Sequence, residues 1–144
     1  MNDFLYAALS YQAQGFHVFP LKPKTKEPLT PHGFKDATNC SEQIKAWWAQ
    51  YPDANIAIAT GKISGLWVVD VDGEYPAEFP QLPKTSTVKT SKGWHYYFPY
   101  PQGEAIGCRT KVDGHDIDVR GDGGYIVAPP SIHPDGGRYE FITE

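Results

Sequence analysis

From Asn55 onward the sequence is a succession of short runs: Ile56 to Ala59, Leu66 to Asp72, Ser86 to Thr90, Trp94 to Phe98, Asp116 to Val119, Tyr125 to Ala128 and Arg138 to Ile142. Each is apolar or alternating and is cut off by Gly, Pro, Asp or Ser, which reads as β-strands joined by turns. Helical patterns precede them. Between Asp3 and Gln14, the residues Phe4, Leu5, Ala8, Leu9 and Tyr11 recur at spacings of three and four, opened by Asn2 or Asp3 and stopped by Gly15. A second helix is expected to begin at Ser41, capped by its hydroxyl, and to carry Ile44, Trp47 and Trp48 on one face before Pro52. Phe16 to Phe19 reads as a short strand ended by Pro20, with a Lys- and Pro-rich loop from Lys22 to Pro31 behind it. Two helices followed mainly by strands predict an α+β fold with a mixed or largely antiparallel sheet. Mobility is expected at 22–32 and at the Pro- and Glu-rich stretch 73–83.

A chain of 144 residues with 40% hydrophobic content can bury one core, so a single domain is expected. The 14 glycines and 13 prolines suit short strands and tight turns. The sequence has no apolar stretch long enough to span a membrane and no export-signal pattern, which makes the cytoplasm the default location. Cys40 and Cys108 are too few for a disulfide scaffold and form no Cys-x-x-Cys pair, so both read as ordinary thiols. A net charge of −4 argues against coating nucleic acid by bulk electrostatics. Local patches stay open, with lysines at 22, 24, 26 and 35 and again at 84, 89 and 92.

Three segments carry candidate chemistry. Leu66 to Asp72 places Asp70 and Asp72 on one strand face, with Trp67, Val69 and Val71 on the other. Carboxylates roughly 7 Å apart at Cβ can lean together on Mg²⁺ or Mn²⁺, although aspartates at strand ends also form turns. In Thr90 to Phe98, alternation turns His95 and Tyr97 one way and Trp94, Tyr96 and Phe98 the other. His95 could hold a phosphate oxygen, aided by Thr90, Ser91 and the N–H groups around Gly93, or could be a half-buried histidine bonded locally. In His115 to Tyr125, the residues Asp116, Asp118 and Arg120 share a face. Such a pattern fits an ordinary solvent-facing strand, or a site with a carboxylate for a cation and an arginine for phosphate. Gly121-Asp122-Gly123-Gly124 permits close approach of backbone to a ligand, or a tight turn.

In their order these segments resemble the bifunctional primase-polymerase domain of the archaeo-eukaryotic primase superfamily, found in replication proteins of plasmids, phages and prophages. The resemblance runs through Gly15 to Leu21, Lys26-Glu27-Pro28, Asp36-Ala37-Thr38, Trp47-Trp48, Asn55 to Gly61, Ser64-Gly65-Leu66 and Asp70-Val71-Asp72. It continues through Thr90 to His95 and Asp118 to Tyr125 into Ala128-Pro129-Pro130-Ser131. Where the family pattern commonly has a glycine pair two residues before the histidine, this chain has Lys92-Gly93.

The resemblance implies a primase-like α+β fold with an RRM-like half and flanking helices. It also implies one catalytic domain over 1–144, which could be the N-terminal part of a longer replication protein. It places a two-metal site for Mg²⁺ or Mn²⁺ on Asp70, Asp72 and Asp118, with Asp116 the competing third ligand, and makes His95 the motif histidine. Nucleotide contacts are expected from Ser91, His95, Arg120, Gly121 and Ser131, with Lys24 or Lys26 reaching a phosphate or the template. The expected partners are NTP or dNTP, a single-stranded DNA template or primer-template, and a fused or associated helicase. The expected activity is metal-dependent synthesis of primers, extension of DNA, or both. A phosphatase of the haloacid dehalogenase type also ends an apolar strand in Asp-x-Asp, but Glu74 stands where that motif wants Thr or Val and no later lysine-and-paired-aspartate segment is evident. A non-enzymatic alternative is a single-strand-binding module that keeps the fold without activity.

Overall fold

The protein is described by a computed structural model over residues 3–142. In chain order the elements are α1 (Asp3–Ala13), β1 (Val18–Leu21), α2 (Ser41–Gln50), β2 (Asn55–Ala59), β3 (Leu66–Asp72), β4 (Thr87–Lys89), β5 (Gly93–Pro99), β6 (Ile117–Arg120), β7 (Tyr125–Ala128) and β8 (Glu140–Phe141). The α+β expectation holds. The strands form a three-stranded sheet, β1-β2-β7, and a five-stranded sheet, β6-β3-β5-β4-β8, in which every ladder is antiparallel.

Both sheets share one core. Phe19, Ile56, Ile58 and Val127 from the smaller sheet meet Val68, Val88 and Tyr97 from the larger. The helices add Ala8, Tyr11, Ile44 and Trp48 to the same cluster. Each such large apolar side chain contributes roughly 1.5–3 kcal/mol when fully buried. Two of these aromatics have their polar atoms satisfied: the Tyr11 hydroxyl donates to the Pro129 carbonyl at 2.6 Å and the Trp48 indole N–H to the Ala54 carbonyl at 3.0 Å, whereas the buried Tyr97 hydroxyl has no partner among the described residues.

The opposite face of the five-stranded sheet carries a second cluster of Val69, Val71, Phe98 and Ile117. Tyr75, Phe79 and Leu82 pack over it. The stretch 73–83, expected to be mobile, therefore covers an apolar face that would otherwise meet water. The loop 22–32 is likewise fastened: Lys22 N–H donates to Glu27 O, Leu29 N–H to Pro20 O, and the Asn55 side-chain amide to Thr25 O.

Two local expectations are corrected. Helix α2 starts at Ser41, but its N-cap position is Cys40 and no side chain caps it; the Thr38 hydroxyl instead accepts from the Cys40 N–H at 3.1 Å. Pro20 lies inside β1 and does not end it. Val18 exchanges backbone hydrogen bonds with Thr38 on the outer side of β1, and Pro20 shares its parity. The missing N–H of Pro20 thus falls on the sheet edge, where no β2 carbonyl needs it.

Candidate active site

Strand register builds the site. Asp70 on β3 lies directly across from His95 on β5 and from Asp118 on β6. One step along the same face, Asp72 pairs with Gly93, and its N–H donates to the Asp116 carbonyl at 2.9 Å. One step back, Val68 stands between Tyr97 and Arg120. The side-chain period of two puts Val68, Asp70 and Asp72 on one face of β3, with Val68 buried, Asp70 half-buried and Asp72 exposed at the strand end. The apolar rows continue the core, and the charged rows emerge where the two sheets part.

A cleft of about 400 Å³ opens there, lined among others by Lys26, Asp70, His95, Arg120, Gly124 and Tyr139. The β7 end and the loop before α2 form its other wall through Tyr125, Ile126 and Phe34. Around the carboxylates lies an adjoining recess of about 270 Å³, lined by Asp70, Asp72, Thr110, Lys111, Asp116 and Asp118.

Carboxylates directly opposed across strands repel one another, so the protein must supply cations. Arg120 Nη2 sits 2.9 Å from Asp118 Oδ2, and Lys111 Nζ is 2.8 Å from Asp116 Oδ1. The Lys111 backbone N–H also donates to Asp118 Oδ1 at 3.0 Å. His95 is only 6% exposed and places Nε2 3.4 Å from Asp70 Oδ1. Burial pushes the Asp70 carboxyl up, but the His95 hydrogen bond and the charges of His95, Arg120 and Lys26 outweigh it and hold it below the ordinary carboxylate range. Asp70 is therefore ionised at neutral pH.

The donor chemistry suits a hard cation, because the recess offers aspartate oxygens and no sulfur or imidazole. Among the described residues, however, no group of three His, Cys, Asp or Glu side chains forms a ready metal site. Both Asp118 oxygens are already engaged, Oδ2 by the Arg120 side chain and Oδ1 by the Lys111 N–H.

The chain matches the family model for the N-terminal domain of bifunctional DNA primase/polymerases over residues 8–144. It belongs to that family. Comparison with curated proteins gives no match. Membership assigns this primase/polymerase domain a DNA-replication role. No helix among its described residues is long and apolar enough to cross a membrane.

Within the primase/polymerase domain, the residues expected at the site divide into two sets. Asp70, His95, Arg120 and Lys26 line one cleft, with Asp72 and Asp118 in the adjoining recess. Lys26 is placed there by the Tyr125 hydroxyl, which donates to its backbone carbonyl at 2.9 Å. Lys24 is exposed and lines neither the cleft nor the recess.

Ser131, Gly121 and Ser91 lie outside the cleft lining. Ser131 is fully buried; its hydroxyl accepts from the Ile56 N–H at 2.8 Å and donates to the Ile56 carbonyl at 3.4 Å, so it is engaged by the β2 backbone. Gly121 is closed off by Ile106, since a Cβ there would overlap the Ile106 carbonyl. Gly123 and Gly124 are the glycines that reach the cleft. Ser91 is exposed outside the cleft and hydrogen-bonds to Asp135. The turn N–H groups expected to hold phosphate are already used: Thr90 Oγ1 accepts from Gly93 N–H at 2.9 Å and from Lys92 N–H at 3.3 Å.

Sequence reasoning missed Tyr139, Cys108, Phe34 and Lys111. Tyr139 packs its ring 6.0 Å from that of His95, and burial together with the nearby Asp70 carboxylate raises its hydroxyl pKa. Its place in the last strand-like run was the only signal. Lys111 gave none, because its loop is irregular and its φ of 47° has no sequence marker.

The placement of Ser131 carries a measurable consequence. Replacing Ser131 by alanine removes the acceptor of the buried Ile56 N–H and is expected to lower stability by about 2 kcal/mol. Urea unfolding checks this, with nucleotide KM expected to stay at the wild-type value. A Ser131→Ala protein of native stability and raised KM would return the residue to the binding site.

Proposed function

We propose that the chain is a metal-dependent nucleotidyltransferase that synthesises primers or extends DNA on a single-stranded template. One observation carries the reading: the β5-β3-β6 register sets His95, Asp70 and Asp118 side by side at a cleft edged by Arg120 and Lys26, in a chain of the primase/polymerase family.

Asp70, Asp72 and Asp118 would hold Mg²⁺ or Mn²⁺, with the Asp118 carboxylate turned from Arg120 toward the recess. When bound, such ions would activate a primer 3′-hydroxyl and stabilise the leaving pyrophosphate. The chain's own contribution is positioning and electrostatics, since the nucleophile belongs to the substrate. Arg120, freed from Asp118, and Lys26 neutralise triphosphate charge from the rim. His95 is fixed by burial beside Asp70, with its Nε2 facing that carboxylate, and would position it for the cation. Gly123 and Gly124, without side chains, let phosphate oxygens approach the backbone. One domain over 1–144 would carry these parts.

The test offers labelled NTP and dNTP in separate arms on single-stranded DNA, with and without an annealed primer, in Mg²⁺, in Mn²⁺ and with chelator. Chelator-sensitive extension or de novo oligonucleotides are expected. Binding of single strands with neither product in either metal would overturn the proposal and leave a binding module.

A further inference from the structure

The turn that brings Gly123 and Gly124 to the cleft is held from behind. Asp122 points away from the cleft into a separate recess with Lys62 and Tyr100. Its Oδ1 accepts from the Lys62 N–H at 2.9 Å, and its Oδ2 accepts from the Tyr100 hydroxyl at 2.8 Å. That hydroxyl accepts in turn from the Ile106 N–H at 2.9 Å, while the Asp122 N–H donates to the Ile106 carbonyl at 2.7 Å.

Gly61 makes room for this arrangement. Its φ is +103°, and a Cβ there would stand 2.5 Å from Asp122 Oδ1. The preceding residue completes the clamp: Thr60 Oγ1 donates to the Gly121 carbonyl at 2.7 Å, and Thr60 N–H to the Gly124 carbonyl at 2.9 Å. Three chain segments thus converge on a four-residue turn with three glycines. A turn of that composition loses much conformational entropy on ordering and has almost no side chains of its own to hold it. Asp122 is the exception, and it is the residue that couples the turn to both the β2–β3 loop and the loop after β5.

We infer that Asp122 is a positioning residue for nucleoside triphosphate: it presets the backbone of Gly123 and Gly124, and with it Arg120, against the phosphates. The inference rests on the nucleotidyl-transfer reading above. Asp122 lines neither the cleft nor the carboxylate recess, so its effect belongs on binding. Without the clamp, the turn must be ordered by the nucleotide itself, and that cost appears in KM.

The experiment compares wild type, Asp122→Asn and Tyr100→Phe, measuring steady-state incorporation and anisotropy of a fluorescent deoxyadenosine triphosphate analogue in Mg²⁺. Asp122→Asn keeps the shape but replaces one acceptor oxygen by an amide. Its nucleotide KM and analogue Kd are expected to rise roughly tenfold, with kcat within about twofold of wild type. Tyr100→Phe removes only the bridging hydroxyl and is expected to shift both constants the same way by less, which keeps the test decisive should Asp122→Asn fold poorly. Unchanged KM and Kd overturn the inference, even with a lowered melting temperature, because that pattern marks a structural role. A loss confined to kcat overturns it as well. A wild-type protein that neither incorporates nucleotide nor binds the analogue overturns the nucleotidyl-transfer reading and this inference together.

Discussion

Asparagine at position 70 or 72 is expected to lower metal-dependent nucleotide incorporation by on the order of a thousandfold while the fold persists. The two substitutions differ in what they do to stability, and that difference makes the test specific. Asp72 is exposed and lies beside Asp116 across the β3–β6 pair, so Asp72→Asn removes like-charge repulsion and is expected to leave the melting temperature unchanged or higher. Asp70 is held ionised by His95, Arg120 and Lys26 against its burial, so Asp70→Asn forfeits a favourable charge. The sign follows from the lowered folded pKa. The stability that wild type holds over Asp70→Asn is present above the unfolded carboxylate value of about 3.9 and disappears as pH falls through the lower folded value. Thermal melts at neutral pH and in acid check the stability difference, and Mn²⁺ titration by calorimetry checks the loss of cation affinity. A variant at either position that incorporates nucleotides at the wild-type rate would end the assignment of these carboxylates.

Much of this was legible in the chain because strand alternation is a local property. The run from Leu66 to Asp72 is a strand over those same residues, and its division into a carboxylate face and a Trp67-Val69-Val71 face is the one observed. The same alternation put His95 with Tyr97 and Asp118 with Arg120. What alternation cannot supply is register between distant strands. The opposition of Asp70 to both His95 and Asp118 depends on turns and packing spread over the chain from β3 to β6. The resemblance to a family stood in for that missing information. The expected residues that the fold engages elsewhere share one physical cause. Ser131 and Thr90 use their hydroxyls to satisfy backbone groups, and nothing in a sequence separates a hydroxyl serving buried backbone from one awaiting a phosphate. Gly121 is ambiguous in the same way, since close approach to the Ile106 carbonyl demands glycine as strongly as a ligand would.

Gly93→Ala is expected to be the most damaging single methyl in the protein. The glycine lies at the end of the β3–β5 ladder opposite Asp72, and the Gly73 N–H donates to the Lys92 carbonyl at 2.7 Å beside it. A Cβ on Gly93 would overlap the Val71 carbonyl oxygen and stand 2.9 Å from the Val71 carbonyl carbon and 3.0 Å from the Gly73 nitrogen. All of these atoms are backbone, so no rotamer change relieves the contact and the strands themselves must part. Overpacking against a fixed neighbour costs about 1–3 kcal/mol and occasionally more, and a rigid ladder belongs at the upper end. The displaced segment carries Asp72 on one strand and, two residues along the other, His95. Activity is therefore expected to fall beyond what the lost stability explains, even at temperatures where the variant is fully folded. Gly107→Ala supplies the control: no atom lies within 4 Å of its added Cβ, and the melting temperature is expected to stay at the wild-type value. Thermal melts of the two variants, followed by incorporation assays well below both transitions, decide the matter. A Gly93→Ala protein with wild-type melting and wild-type activity would mean that β3 and β5 do not close on one another as the register requires, and the row of Asp70, His95 and Asp118 would lose its foundation.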